Sequence, residues 1–162
     1  MENNYTSDSK VLINNLCNYE IGYHSDVLNK DISIPAFVKN YETTIGDISE
    51  QVEKNNVAYT GVDGVGSHAL FLIVDDGARE FIFGTSEKPV QFTREVVAEM
   101  LAHQEKEDFK KALEDVIVTK NEALLMLNGM KHLYKELDEF GWKTKMLKDH
   151  CEWIVVRNVL NQ

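Results

Sequence analysis

The sequence predicts an α+β fold: a small antiparallel sheet with one packed helix, followed by a helical C-terminal half. Three observations predict it. Short β-favouring runs broken by turn residues fill the first half of the chain. Helical periodicity and capping signals fill the second. Between them, Gly84-Thr85-Ser86-Glu87-Lys88-Pro89 combines Gly, Pro and short polar residues where the periodicity changes. The predicted division is an α+β domain over 1–84, carrying a Gly-rich hairpin, and a helical subdomain over 90–162.

Residues 1–9 hold few apolar side chains and are expected to fray. Val11, Leu12, Ile13, Leu16 and Cys17 form an apolar patch that suits either a helical turn or a strand. Tyr19, Ile21 and Tyr23 alternate along one face of a predicted strand. Ile32, Ile34 and Phe37 mark a second, with Pro35 placing it at an edge or a bend. Thr44-Ile45-Gly46-Asp47 has the form of a capping box with Asp in place of Glu, so a helix is expected through about Lys54. Ile45, Ile48 and Val52 form its stripe, and Asn55-Asn56 ends it because Asn tolerates the left-handed conformation.

The stretch from Val57 to Val74 reads as a hairpin. Val57, Ala58 and Tyr59 end one strand, and Ala69 to Val74 form a longer one. Between them Asp63-Gly64 is a tight-turn signal, since such turns need the positive φ that Gly adopts without a Cβ clash. Gly61, Asp63, Gly64, Gly66, Ser67 and His68 are the candidate ligand-binding residues. Successive backbone N–H groups here can form an anion nest, with Ser67 and His68 as further donors. The alternative is an ordinary long hairpin with a surface histidine. The Gly spacing is not the dinucleotide fingerprint, no Lys follows the last Gly, and a strand rather than a helix is expected next. After Asp75-Asp76-Gly77, Ala78 to Phe83 is ambiguous and is read as a third meander strand.

The run Gln51 to Ala69, QVEKNNVAYTGVDGVGSHA, resembles a recurrent segment in uncharacterised prophage and phage proteins of low-GC Gram-positive bacteria. That segment runs roughly Q-V-x-N-G-N-x-L-F-x-G-T-D-G-x-G-S-H-A. Departures include Asn55, where the pattern has Gly, and Val62, where it has Thr. The resemblance covers less than half of the chain. It implies a mobile-element origin, and for a small phage protein without enzyme motifs it implies a virion or assembly part, or a modulator of the host.

In the second half, Thr93 caps a first helix with Phe92 stapled onto Val97, and Val96, Val97, Met100 and Leu101 supply its apolar face. A second helix, about Glu105 to Asp115, uses Phe109, Leu113 and Val116. Thr119-Lys120-Asn121-Glu122 is a full capping box. The helix it opens is expected to reach about Phe140 through a stripe of Ala123, Leu127, Met130, Tyr134 and Leu137, with Leu124, Leu133 and Phe140 widening it and Gly141 stopping it. A last amphipathic helix carries Met146, Leu147, Cys151 and Ile154. Such Met-rich and aromatic stripes serve either as bundle core or as a partner groove.

Composition and charge narrow the function. Apolar content of 43% is ordinary for a globular chain. No apolar run is long enough to span a bilayer, and the polar start MENNYTSDSK is not a secretory signal, so a host cytoplasm or a virion assembled there is the expected location. Residues 1–84 carry five Lys/Arg against 13 Asp/Glu, a net −8, and residues 85–162 carry 12 against 14, a net −2. That acidity works against direct nucleic-acid contact and against an anionic membrane surface, and it permits a basic protein partner.

Two distant cysteines, Cys17 and Cys151, are expected to be buried thiols rather than a disulfide or metal pair. The chain has no H-E-x-x-H, G-x-S-x-G, C-x-x-C, EF-hand or P-loop motif. One catalytic sketch is available, with His68 as base, Asp63 as its orienter and Ser67 as nucleophile, all in one turn. No catalytic residue, metal or cofactor is assigned. The expected partners are other phage particle proteins or a host protein, with a homo-oligomer open.

Overall fold

In the computed structural model the architecture is α+β, with small antiparallel sheets early in the chain and helices in its C-terminal half. The structure describes residues 4–132, 138 and 141–160. Two units are present, Met1–Gln91 and Phe92–Gln162.

In the first unit, strand β1 (Lys10–Asn15) lies between β4 (Tyr41–Thr44) and β5 (Phe71–Ile73), antiparallel to both. Its alternation decides its faces. Val11, Ile13 and Asn15 are buried, whereas Lys10 and Leu12 face outward. Strands β2 (Ile21–Ser25) and β3 (Lys30–Ile34) form a separate two-stranded hairpin, Ile21 opposite Ile34 and Ser25 opposite Lys30. Asn29 turns this hairpin at φ 52°.

Helix α1 (Ile45–Glu53) starts where Thr44 is expected to cap it, but the expected box is not completed, because the Asp47 carboxylate takes the Thr43 and Tyr23 hydroxyls instead of the Thr44 amide. Thr44 Oγ1 accepts the Asp47 amide at 3.2 Å. Asn55 ends this region at φ 57°, in the left-handed conformation expected of it. The core joins Val11, Ile13, Ile34, Ile48, Tyr59 and Phe71.

Three expectations are corrected in this unit. Val57–Thr60 is a short helix, α2, not a strand. Asn56 opens it, its Oδ1 accepting the Ala58 amide at 3.1 Å. The Gly-rich stretch is therefore a loop between α2 and β5, and β5 pairs with β1 instead of folding back on residues 57–59. Asp76–Phe83 is also a helix, α3, because Asp75 Oδ1 caps the Gly77 and Ala78 amides and Gly84 closes it at φ 69°. More than one helix thus packs in this unit. Finally, the chain does not leave the first unit at Gly84. Residues 85–91 return along it: Arg79 Nη1 donates to Glu87 O at 2.8 Å, His68 N to Val90 O at 2.7 Å, and Gln91 Nε2 to Phe71 O at 2.9 Å.

The second unit holds α4 (Arg94–Ala102), α5 (Lys106–Val116), α6 (Lys120–His132) and α7 (Trp142–Leu160). Thr93 Oγ1 accepts the Val96 amide at 3.2 Å. The Thr119 box is reciprocal: Thr119 Oγ1 accepts the Glu122 amide at 3.1 Å, and Glu122 Oε1 accepts the Thr119 amide at 2.9 Å and the Val118 amide at 3.0 Å. The core gathers Val97, Met100, Phe109, Leu113, Met126 and Leu147. Leu133, Tyr134, Leu137 and Phe140, expected to extend the α6 stripe, lie outside the described residues. Gly141 does not adopt the left-handed conformation of a helix stop, and stands instead immediately before α7.

Candidate functional site

The loop from Gly61 to His68 brings the six candidate residues together, and its hydrogen bonds define its chemistry. Gly61 leaves α2 at φ 68°, and a Cβ there would overlap the Ser67 carbonyl oxygen. The Val62 amide donates to Ser67 O and the Gly66 amide to Thr60 O, each at 2.8 Å. Gly64 and Gly66 have φ 83° and 99°, and His68, buried, has φ 58°. A Cβ at Gly66 would press on the Phe83 ring at 3.3 Å.

Asp63 sits at the centre. Its Oδ1 accepts the Val65 amide at 2.9 Å and the Ser67 amide at 3.1 Å. Partial burial works to raise the Asp63 pKa, but the Ser67 side chain and the amides of Val65 and Ser67 outweigh it and hold the carboxyl below the ordinary range. Of the amides that an anion nest would offer, those of Val65 and Ser67 are engaged by the loop's own carboxylate and those of Val62 and Gly66 by backbone carbonyls. An external anion at those two amides of Val65 and Ser67 would have to displace Asp63. The same bonds turn Asp63 Oδ1 toward the loop backbone.

Beside the loop, a cavity of about 10 Å³ is lined by Tyr59, Gly66, Phe83, Arg79, Pro89 and Gln91, among others. It is too small for anything larger than a water molecule. Arg79 is only 4% exposed. Besides its bond to Glu87 O, its Nη2 lies 3.7 Å from Asp76 Oδ1 and 3.8 Å from Glu80 Oε1, so its charge is balanced, yet Nη2 has no hydrogen-bond partner. Its geometry fastens the 85–91 segment.

Two polar networks were not legible in the sequence. Buried Asp47 accepts the Thr43 hydroxyl at 2.5 Å and the Tyr23 hydroxyl at 2.6 Å, both on Oδ2. Tyr23 has one hydroxyl proton, so the 2.7 Å contact between the tyrosine oxygens has Tyr59 donating to Tyr23. Burial first, then the neighbouring tyrosine and carboxylate, push the Tyr23 pKa far up; burial does the same to Tyr59. On the surface, His24 lies between Asp31 (Nδ1 to Oδ1, 2.8 Å) and Asp26 (Nε2 to Oδ1, 3.2 Å), and Lys54 reaches Asp26 at 2.7 Å. Neither network has a sequence signature, because each joins residues from separate elements.

The helical unit has a groove of about 480 Å³ lined by Gln104 to Asp108 and Trp142. The α5 N-terminus and Lys106 favour an anion there, and Glu105, Glu107 and Asp108 favour a cation, so the groove selects neither. Cys17 and Cys151 are both buried and lie in different units without a disulfide. Burial pushes the Cys151 thiol up to about 12. Among the described residues, no group of three or more His, Cys, Asp and Glu is placed to hold a metal ion, and no helix is long and apolar enough to cross a membrane. Compared with known proteins, the chain matches no family model, no curated protein and no solved structure.

Proposed function

We propose that this protein is a non-enzymatic structural or assembly protein of a phage particle that works through protein–protein contacts in the host cytoplasm or in the assembled virion. The observation that carries this reading is the outer side of α7. Leu147, Cys151 and Ile154 are buried along one side of the helix, while Trp153, 55% exposed, and Val156 stand on another. The Arg157 guanidinium lies 4.8 Å from the Trp153 ring centroid. Trp and Arg are the residue types that most often dominate protein interfaces. The likeness of residues 51–69 to a recurrent phage-protein segment supports the same reading.

Particles purified from induced cells and analysed by mass spectrometry test it. The protein is expected in them at a fixed stoichiometry, and Trp153→Ala is expected to lower its incorporation by about tenfold or more, the scale of an interface hot spot. Particles that lack the protein overturn the reading.

A second reading is a soluble modulator that binds a host protein. The net −8 of residues 1–84 favours it, since an acidic unit suits a basic groove. Particles without the protein, together with a host protein bound in a steeply salt-dependent way, support this alternative. A third reading, a small-anion sensor, would use the Gly61–His68 loop, where an anion at the Val65 and Ser67 amides has to compete with Asp63.

A further inference from the structure

Helix α7 is exposed along two neighbouring rows. Its core side is set by Leu147, Cys151 and Ile154, all buried. Glu152, Trp153, Val156 and Arg157 are all exposed. Residues four apart on a helix stand one turn above one another on the same side. Glu152 and Val156 therefore form one row, and Trp153 and Arg157 form the row beside it. The second row is also seen in contact, since the Arg157 guanidinium lies 4.8 Å from the Trp153 ring centroid. At about 100° per residue, Val156 points almost directly away from the core side.

These four residues stand in an order that complements itself. Each row carries one charge and one apolar group. The carboxylate lies at the N-terminal end of its row, and the guanidinium at the C-terminal end of the other. Positions 152 and 157 share their midpoint with positions 153 and 156. A second α7 laid antiparallel across that midpoint brings each Glu152 level with the other copy's Arg157, and each Val156 level with the other copy's Trp153. A two-fold dimer requires this kind of contact, in which residue i meets j and j meets i. Rows of residues four apart are also the ridges through which helices most often pack.

Charge at the face itself selects the occupant. The exposed charges of α7, Lys145, Lys148 and Arg157 against Asp149 and Glu152, nearly cancel. A uniformly basic partner is matched at Glu152 and mismatched at Arg157, and a uniformly acidic one the reverse. A second copy in antiparallel order is matched at both. Residues 85–162 carry a net −2 against −8 for residues 1–84, so two copies repel each other least through the helical unit.

We propose that two copies of this chain pair through α7, antiparallel about a two-fold axis, with Trp153 of each packed on Val156 of the other and Glu152 paired with Arg157. The proposal rests on the protein-contact reading above and names the partner that the Trp153 face takes. Sedimentation of the full chain over a range of concentrations tests it. A monomer–dimer equilibrium is expected, weakened about tenfold or more by Trp153→Ala. Glu152→Arg and Arg157→Glu are each expected to weaken it, because each sets like charges opposite one another at both ends of the contact. The two single variants mixed together are expected to regain pairing as a heterodimer, and the double variant E152R/R157E as a homodimer. Both charged positions are exposed, so the thermal midpoints of the charge variants, diluted until monomeric, are expected to match that of the diluted parent chain, which separates lost pairing from lost folding. A chain that stays monomeric throughout overturns the proposal. So does a dimer that the single charge variants leave intact, or one that their mixture fails to restore. The two readings fail separately. Particles containing a protein that is monomeric in solution leave the assembly reading standing without this pairing. A dimer restored by the mixture, with no protein in particles, keeps the pairing and removes the assembly reading.

Discussion

The two units bury different things. The first hides polar side chains from Asn15 and Asp47 through to Arg79 and Gln91, whereas in the second Glu122 is the buried polar residue among those described. The partners differ in sequence distance as well. Glu122 bonds amides three and four positions away, while Asn15 reaches carbonyls 19 and 20 positions away. The second unit is thus specified by local signals and an apolar core. The first depends on long-range polar bonds that fix loops against one another, and each such buried group costs stability when its partner is lost. Two of the unit's exposed aromatics, Tyr19 and Phe37, lie on loops tied in this way, and the third, Phe81, lies on α3.

The sharpest break of this contrast is Gly61→Ala. A Cβ there overlaps the Ser67 carbonyl, and both flanks are pinned, the Val62 amide on Ser67 O and the Leu70 amide on Ala58 O. The backbone is also at φ 68°. Backbone overlap of this kind belongs to the exceptional class of substitutions, above about 4 kcal/mol. Denaturant unfolding is expected to show the first unit's transition lost or moved far down, with the helical unit's transition kept. A shift below about 1 kcal/mol would show that the loop relaxes cheaply and that the clamped-loop account is wrong.

The same contrast explains what could be read from the sequence. The fold class, the Thr44 and Thr93 caps, the Thr119 box and the left-handed Asn55 were legible because the local signals that set them lie within a few residues of one another. Val57-Ala58-Tyr59 reads as β-favouring by side-chain type, but the Asn56 cap and the burial of Tyr59 against Phe71, ring centroids 4.8 Å apart, make it a helix. Ala78 to Phe83 alternates like a strand, yet the Asp75 cap decides for helix. Strand β4 went unread because Tyr41–Thr44 is short and gains its ladder only from β1. At the candidate site, the turn and its glycines were legible. That Asp63 occupies the nest was not, because nothing in composition says which way a loop carboxylate points. The role of Asn15 was less legible still: it is an unremarkable strand residue until its long-range bonds are seen.

A smaller effect is expected in the helical unit. Thr119→Ala removes one cap bond and leaves the Glu122 side chain on the Val118 and Thr119 amides. The loss is expected to be about 1 kcal/mol, the usual cost of an N-cap. It is expected to appear in the unfolding of the second unit alone. A loss of several kcal/mol, or an equal loss in the first unit, would contradict the view that this unit is built from local, separable signals.

The smallest effect returns to the first unit, where even a surface contact joins distant elements. The Asp31 hydrogen bond raises the His24 pKa above its usual 6.5, with the charges of Asp31 and Asp26 adding to it and partial desolvation and Lys54 opposing. Asp26 in turn is lowered by its bond to Lys54. The sign for His24 follows from linkage. A histidine whose pKa is higher folded than unfolded contributes stability that is complete below about pH 6.5 and is lost as pH rises through the raised folded value. The first unit's thermal midpoint is therefore expected to slip slightly between neutral and mildly alkaline pH, and less so in high salt, because the site is exposed. NMR titration of the His24 ring is expected to give a midpoint above 6.5 that falls toward it in Asp31→Asn. A midpoint at or below 6.5, or one indifferent to Asp31→Asn, would mean that β2 and β3 are joined here by backbone pairing alone.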